Sequence, residues 1–343
     1  MRKHAWAILL LCWGPFWLTE AAFWARPQAF YFRPWEYFME LANKSYEIKP
    51  VWHGNEYGDQ SRFNFFLYQE RSLTDATTDE DGFRSVPFKA EYYPVVVGGD
   101  SNVYGQCLSD SETLPWRLSE TLQTPVFNAG RIRVKLALRN KCLSRPKLVI
   151  DCVAERVLNY DLEFRFYGTA AYFLRQPILS ASEAKAAVPA ERRQFHYLIC
   201  RWGTGLLRDL ELMTRLSPDG PVQPMLFNGN HKTPRDLEMS VAQIVIRDRW
   251  MKRHGYRYLF VPVPDKDSIY KTDLDDFTRG YTAALVHRLR LAGVDALDLN
   301  KSFREARSGP LLEFKYDSHW TAAGVEIAAS EITKHIRTHH LLR

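Results

Sequence analysis

The chain has 343 residues, enough to bury a substantial core in one large domain or two smaller ones. Apolar residues make up 46% and charged residues 25%, a balance that excludes a disordered or low-complexity protein, while an aromatic share of 14% suits surfaces that stack on sugars. The net charge of +6 comes without a long Lys/Arg run interleaved with aromatics, which argues against nucleic acid as a partner.

At the N-terminus Arg2-Lys3-His4 precedes an apolar stretch from Ala5 to Thr19, and residues 1–25 read as a signal peptide or an N-terminal membrane anchor. The protein is therefore expected in the periplasm or another extracytoplasmic space, joined to the inner membrane if the segment is retained. A buried N-terminal helix is the alternative. Residues 26–92 form an irregular extension punctuated by Pro27, Pro34, Pro50, Gly54, Gly58 and Gly82.

From residue 93 to 340 short apolar runs alternate with segments of helical period, the pattern of a three-layer α/β sandwich with a central, mostly parallel sheet. Strands are predicted at Pro94–Val97, Pro125–Phe127, Lys147–Val153, Tyr258–Val263 and Val294–Leu299. Helices are predicted over Thr113–Leu122, over Leu237–Trp250, through Phe277, Tyr281, Leu285 and Leu289 up to Gly293, and after Thr321, a predicted N-cap. About 160–232 is too long for a simple crossover and reads as an aromatic, basic, partly helical insertion.

Of the five cysteines, at 12, 107, 142, 152 and 200, none forms a C-x-x-C pair or stands beside a histidine at zinc-ligand spacing, so no metal site is expected. An exported chain could hold one or two disulfides; four buried free thiols are the other reading. Asp79-Glu80-Asp81-Gly82 lacks the ligand ladder of a calcium loop, and His339-His340 reads as a frayed end.

Chemistry concentrates in two strings. Gly98-Gly99 lets the chain turn sharply out of the strand Val95-Val96-Val97, leaving Ser101 at a strand-to-helix junction beyond a sheet edge, where ligands collect in doubly wound folds. Far downstream, Asp317-Ser318-His319-Trp320 offers a carboxylate two residues from an imidazole, just before a helix. A serine nucleophile, a histidine base and an aspartate to orient it suffice for acyl chemistry. Each string alone reads more simply as a polar helix start; together they suggest a triad.

Val95 to Ser101 resembles the first block of the SGNH/GDSL hydrolases, and Asp317-x-His319 resembles their late acid–base block. Asp317-Ser318-His319-Trp320 is closer still to the Asp-x-His-Trp motif of the AlgX/AlgJ branch, alginate O-acetyltransferases and related exopolysaccharide proteins. Pro264-Asp265-Lys266 with Tyr270 resembles that branch's Pro-x-Lys strand end, although the residues themselves assign Lys266 no role. The resemblance spans roughly 79 to 336. It implies an SGNH-type, flavodoxin-like fold without cofactor, and catalytic Ser101, Asp317 and His319.

Asn128-Ala129-Gly130 is similar to the second block, which implies an oxyanion hole formed by the N–H groups of Ser101 and Gly130. The third block, Gly-x-Asn-Asp, is absent; Glu155-Arg156 stands there, with Asn159 beyond. Arg156 either donates to the oxyanion in its place or pairs with Glu155. Asn102, Tyr104 and Trp320 are candidates for substrate contact. The order of motifs is that of ordinary SGNH hydrolases, with Asp-x-His after the serine. The expected activity is O-acyl transfer, most simply of acetyl, to a polysaccharide or oligosaccharide, with a membrane-bound O-acyltransferase as donor partner. A carbohydrate O-acetyl esterase and a non-catalytic polysaccharide-binding or assembly protein are the alternatives.

Overall fold

The structure is a computed structural model that describes residues 51–57, 71–78, 83–130, 146–158, 231–315 and 317–343. The predicted targeting segment and most of the predicted insertion lie outside the described residues. Among the described residues no helix is long and apolar enough to cross a membrane.

The central sheet is parallel and five-stranded: β3 (Val95–Gly99), β4 (Val126–Gly130), β5 (Leu148–Ala154), β6 (Arg257–Val263) and β7 (Asp295–Ala296). Its spatial order is β4-β3-β5-β6-β7. Counted from its own first strand that order is 2-1-3-4-5, the flavodoxin-like winding, with the switch point between β3 and β5. The preceding strands β1 (Val51–Tyr57) and β2 (Arg71–Thr77) pair antiparallel in a separate two-stranded sheet, so part of the stretch expected to be irregular is a β-ribbon.

Alternation along the strands sorts side chains between two cores. Val96, Val149, Val153, Tyr258 and Phe260 point to one face, and Val95, Val97, Leu148, Ile150, Leu259 and Val261 to the other. Both faces are buried, so the strands read as unbroken apolar runs. The first face is covered by α3 (Pro234–Arg253) and α5 (Asp276–Leu291), through Leu237, Ile244, Met251, Tyr281, Leu285 and Leu289. The second is covered by α2 (Leu114–Leu122), α6 (Asn300–Ala306) and α7 (Ala322–Thr338), through Leu114, Leu118, Phe303, Val325, Ala328, Ile332 and Ile336. Short helices α1 (Ser101–Tyr104) and α4 (Lys266–Tyr270) follow β3 and β6.

Caps stand where local chemistry puts them. Thr321 accepts the Gly324 N–H, Asp275 accepts the Thr278 N–H, and Thr233 with Asp236 closes a capping box whose first helical residue is Pro234. Gly293, at φ +80°, follows α5 in the left-handed conformation. The predicted strand Val294–Leu299 shrinks to two residues. β7 is an edge strand, and the Asp298 side chain accepts the Asn300 N–H, turning the chain into α6 before further pairing.

One polar tie crosses an apolar layer. Asp151 on β5 receives Arg247 of α3 and the Tyr258 hydroxyl of β6, each at 2.7 Å, so a buried carboxylate meets a cation and a donor. Burial pushes the Tyr258 phenol well above its usual range, and the Asp151 charge adds to the effect.

Candidate active site

The carboxyl ends of β3, β4, β5 and β6 converge on one edge, and each predicted site residue is carried there or on a loop packed beside it. Gly99 ends β3; a Cβ on it would lie 2.5 Å from Val103 Cγ2 and 2.6 Å from the Cys152 carbonyl oxygen, so only glycine fits. Asp100 then caps α1 by accepting the Asn102 N–H at 2.8 Å, which sets Ser101 at the first helical position, partly exposed.

The acid and base arrive on the loop 312–321. Asp317 is buried; its Oδ1 accepts the His319 N–H at 2.9 Å and is hydrogen-bonded to His319 Nδ1. On the far side of the ring, His319 Nε2 lies 2.6 Å from Ser101 Oγ. Ser101, His319 and Asp317 thus form one hydrogen-bonded series at the sheet edge, although the serine and the histidine stand 218 residues apart in the chain. With a proton on Nδ1 held by Asp317, Nε2 can accept the hydrogen bond of the serine hydroxyl.

The residues expected to touch substrate do something else. Asn102, Tyr104 and Trp320 are buried. Asn102 Oδ1 accepts the Trp320 N–H at 2.9 Å, tying the nucleophile helix to the acid–base loop. The Trp320 ring packs on Phe303 with centroids 5.3 Å apart, and the Tyr104 ring lies under the Arg84 guanidinium at 5.2 Å. Trp320 thus belongs to the second core, Tyr104 packs on Arg84, and Asn102 joins α1 to the loop that carries Asp317 and His319.

Gly130 ends β4 in register with Gly99, and a Cβ there would lie 2.2 Å from the Tyr104 nitrogen. Its N–H donates to Asn128 Oδ1 at 2.9 Å. Arg156 pairs, yet not with adjacent Glu155: its Nη1 donates to Asp265 Oδ1 at 2.6 Å. Burial works against the Arg156 charge, but Asp265 and Asp100 outweigh it and hold the guanidinium above its ordinary pKa. Glu155 in turn accepts the Asp265 N–H at 3.2 Å; burial, reinforced by the Asp265 charge, pushes its pKa up to about 7. Lys232 donates to the Glu155 carbonyl at 2.7 Å, and its own pKa is lowered by burial.

Two supports were not apparent from the sequence. Arg84, buried upstream of β3, forms a 2.5 Å ion pair with Asp110 and donates to the carbonyls of Gly105 at 3.3 Å and Leu108 at 2.6 Å. The Asp110 carboxylate also accepts the Thr77 N–H, which docks β2 on the same turn. Cys107, in the left-handed region at φ +63°, places Sγ 3.8 Å from Asp317 Oδ2. It and Cys152 are free buried thiols; the other cysteines lie outside the described residues. Among the described residues no group of histidines, cysteines and carboxylates could hold a metal ion.

A flavodoxin-wound parallel sheet with a serine after its first strand and Asp-x-His before its last helix defines the SGNH class. Residues 227–343 match the family described as SGNH hydrolase-like domain, acetyltransferase AlgX. Over 116 residues the chain is 30% identical to the Pseudomonas aeruginosa protein described as "Probable alginate O-acetylase AlgJ", covering 32% of this chain and 29% of that relative. The C-terminal third of the chain is thus similar to the AlgX/AlgJ proteins of the SGNH type, and the chain spans less than a third of that curated relative's length. Solved structures give fainter likenesses: a G-D-S-L family lipolytic protein of Desulfitobacterium hafniense (12% identity, 72% of this chain and 99% of the other, TM-score 0.36) and an acetyl-xylooligosaccharide esterase of Geobacillus (12%, 71% and 93%, 0.39). The fold is defined by the strand order itself.

Proposed function

We propose that the protein is an extracytoplasmic O-acyltransferase, acting with acetyl on a polysaccharide or oligosaccharide through an acyl-serine intermediate. The observation that supports this reading most is the hydrogen-bonded series Ser101–His319–Asp317 at the carboxyl edge of the sheet. Ser101 Oγ attacks the donor's acyl carbonyl while His319 Nε2 takes its proton. Collapse of the tetrahedral adduct breaks the bond to the leaving oxygen, which receives that proton. A sugar hydroxyl then gives its proton to His319 and attacks the acyl-serine, freeing Ser101. Asp317 steadies the imidazolium at both stages.

The oxyanion is assigned to the Ser101 N–H and to the Gly130 N–H, the latter exchanging its bond to Asn128 when substrate binds. Arg156 serves this charge only through its groups not committed to Asp265. The likeness to AlgX and AlgJ favours a sugar acceptor over water, and the basic and apolar N-terminus favours export, with a membrane-bound O-acyltransferase supplying the acyl group.

The test is to incubate the chain with p-nitrophenyl acetate, with and without an oligosaccharide acceptor, beside Ser101→Ala. Wild type is expected to cleave the ester and acetylate the sugar, and the variant to lose at least ~10³-fold in turnover. Cleavage without sugar acetylation assigns a carbohydrate O-acetyl esterase. No serine-dependent cleavage leaves the binding or assembly role.

A further inference from the structure

Pro264-Asp265-Lys266 with Tyr270 has no place in the acyl-transfer steps, yet the structure puts it directly behind them. Lys266 is fully buried, an expensive location for an ammonium unless several acceptors surround it. Its Nζ donates to the carbonyls of Phe314 at 2.5 Å, of Lys315 at 3.3 Å, and of Asp317. Four residues on, the Tyr270 hydroxyl accepts the Leu312 N–H at 2.9 Å. That spacing places both side chains on one face of α4.

All four of these backbone groups belong to the loop that carries the acid and the base. The loop closes on itself through a bridge between Glu313 and Trp320, with the Phe314 N–H on the His319 carbonyl at 3.0 Å and the Asp317 N–H on the Phe314 carbonyl at 3.2 Å. The turn draws the carbonyls of 314, 315 and 317 to one point, an arrangement that needs a cation at its focus. Helix α4 is itself anchored to the end of β5, since Asp265 pairs with Arg156 and gives its N–H to Glu155.

We propose that Lys266 and Tyr270 are positioning residues that clamp the backbone at 312, 314, 315 and 317 and so hold Asp317 and His319 in register with Ser101. This rests on the acyl-transfer reading for its effect on turnover, although the clamp can be tested without it. Placement matters because misplacing a catalytic group by about 1 Å can cost on the order of 10²-fold in rate. Neither residue touches the reacting atoms; each acts through the backbone that aims His319.

The experiment compares full-length wild type, Lys266→Met and Tyr270→Phe by amide hydrogen exchange, by the low-field imidazole proton of His319 in NMR spectra, and by cleavage of p-nitrophenyl acetate. In Lys266→Met, exchange at Phe314 and Asp317 should accelerate at least ~10-fold while Val149 and Ile150 of the sheet keep wild-type protection. The low-field proton should broaden, and kcat should fall ~10- to 100-fold with KM little changed. In Tyr270→Phe, Leu312 should lose protection and kcat should fall about two- to fivefold. Wild-type exchange at these amides in a folded variant overturns the clamp. If Lys266→Met does not fold, Leu312 exchange in Tyr270→Phe decides. If Ser101→Ala leaves ester cleavage intact, the acyl-transfer reading falls, and exchange still decides the clamp.

Discussion

The turn that carries Ser101 and the loop that carries Asp317 and His319 meet through Ser101 with His319, Asn102 with the Trp320 N–H, and Cys107 with Asp317, but they are held in different ways. From Gly99 to Asp110 the chain is shaped by its own sterics: a glycine with no space for a side chain, an Asp100 cap, Gly105 at φ +88° and Cys107 at φ +63°. Arg84 then locks that turn through the ion pair with Asp110. From Leu312 to Thr321 the loop is held by a helix some fifty residues away, through an ammonium on carbonyls and a phenol on an N–H. A local lock resists movement of neighbouring elements, whereas a clamp from another helix transmits it.

Removing the local lock should have the largest effect. Arg84→Met leaves the Asp110 carboxylate without its buried cation and two carbonyls without donors, and is expected to cost about 3–5 kcal/mol in urea unfolding. A loss below about 1 kcal/mol would mean that glycines and caps hold the nucleophile turn alone.

On the other half, Glu155 supports Asp265 and thereby α4, and its pKa of about 7 lies above the ordinary value of 4.5 because burial, aided by the Asp265 charge, disfavours the carboxylate. The folded state holds this proton more tightly than the unfolded chain. The stability it contributes is therefore intact below pH 4.5, declines as pH rises, and is lost above about pH 7. Glu155→Gln should remove that decline, so from pH 5 to pH 8 the variant should gain on wild type by up to about 3 kcal/mol in urea unfolding. A pH-independent difference would show that burial does not hold the Glu155 proton in the folded chain.

The smallest effect is expected where the halves touch directly. Cys107→Ala removes a weak S–H contact to Asp317 Oδ2, and turnover should fall only about two- to threefold with stability changed by about 0.5 kcal/mol. A loss above tenfold would show that the acid depends on the nucleophile turn for its placement.

Much of the architecture was legible in the sequence because it is written in local patterns. Val95–Val97 and Lys147–Val153 read as buried strands since residues facing either core are apolar, and the Thr321 cap and the Gly293 stop are properties of single residues. β7 was overread, because an apolar run does not reveal that Asp298 turns it into a helix. Nothing in the sequence tells that Asn102, Tyr104 and Trp320, candidates for substrate contact, are buried, or that Asn102 bonds the Trp320 N–H across the two segments. The missing third block left Arg156 with two alternatives, and its partner, Asp265, stands 109 residues away. For Lys266 and Tyr270 the spacing of four was visible, but its target was not.

By itself the sequence determined the class of fold and the three residue types that acyl chemistry needs, since strand period, turn glycines and caps act within a few residues. Only the tertiary structure decided which side chains converge on them. The buried charges Arg84 and Lys266 and the half-buried Arg156 find their partners across the sheet edge, where the cost of desolvating a cation is offset by carbonyls and carboxylates brought from other parts of the chain.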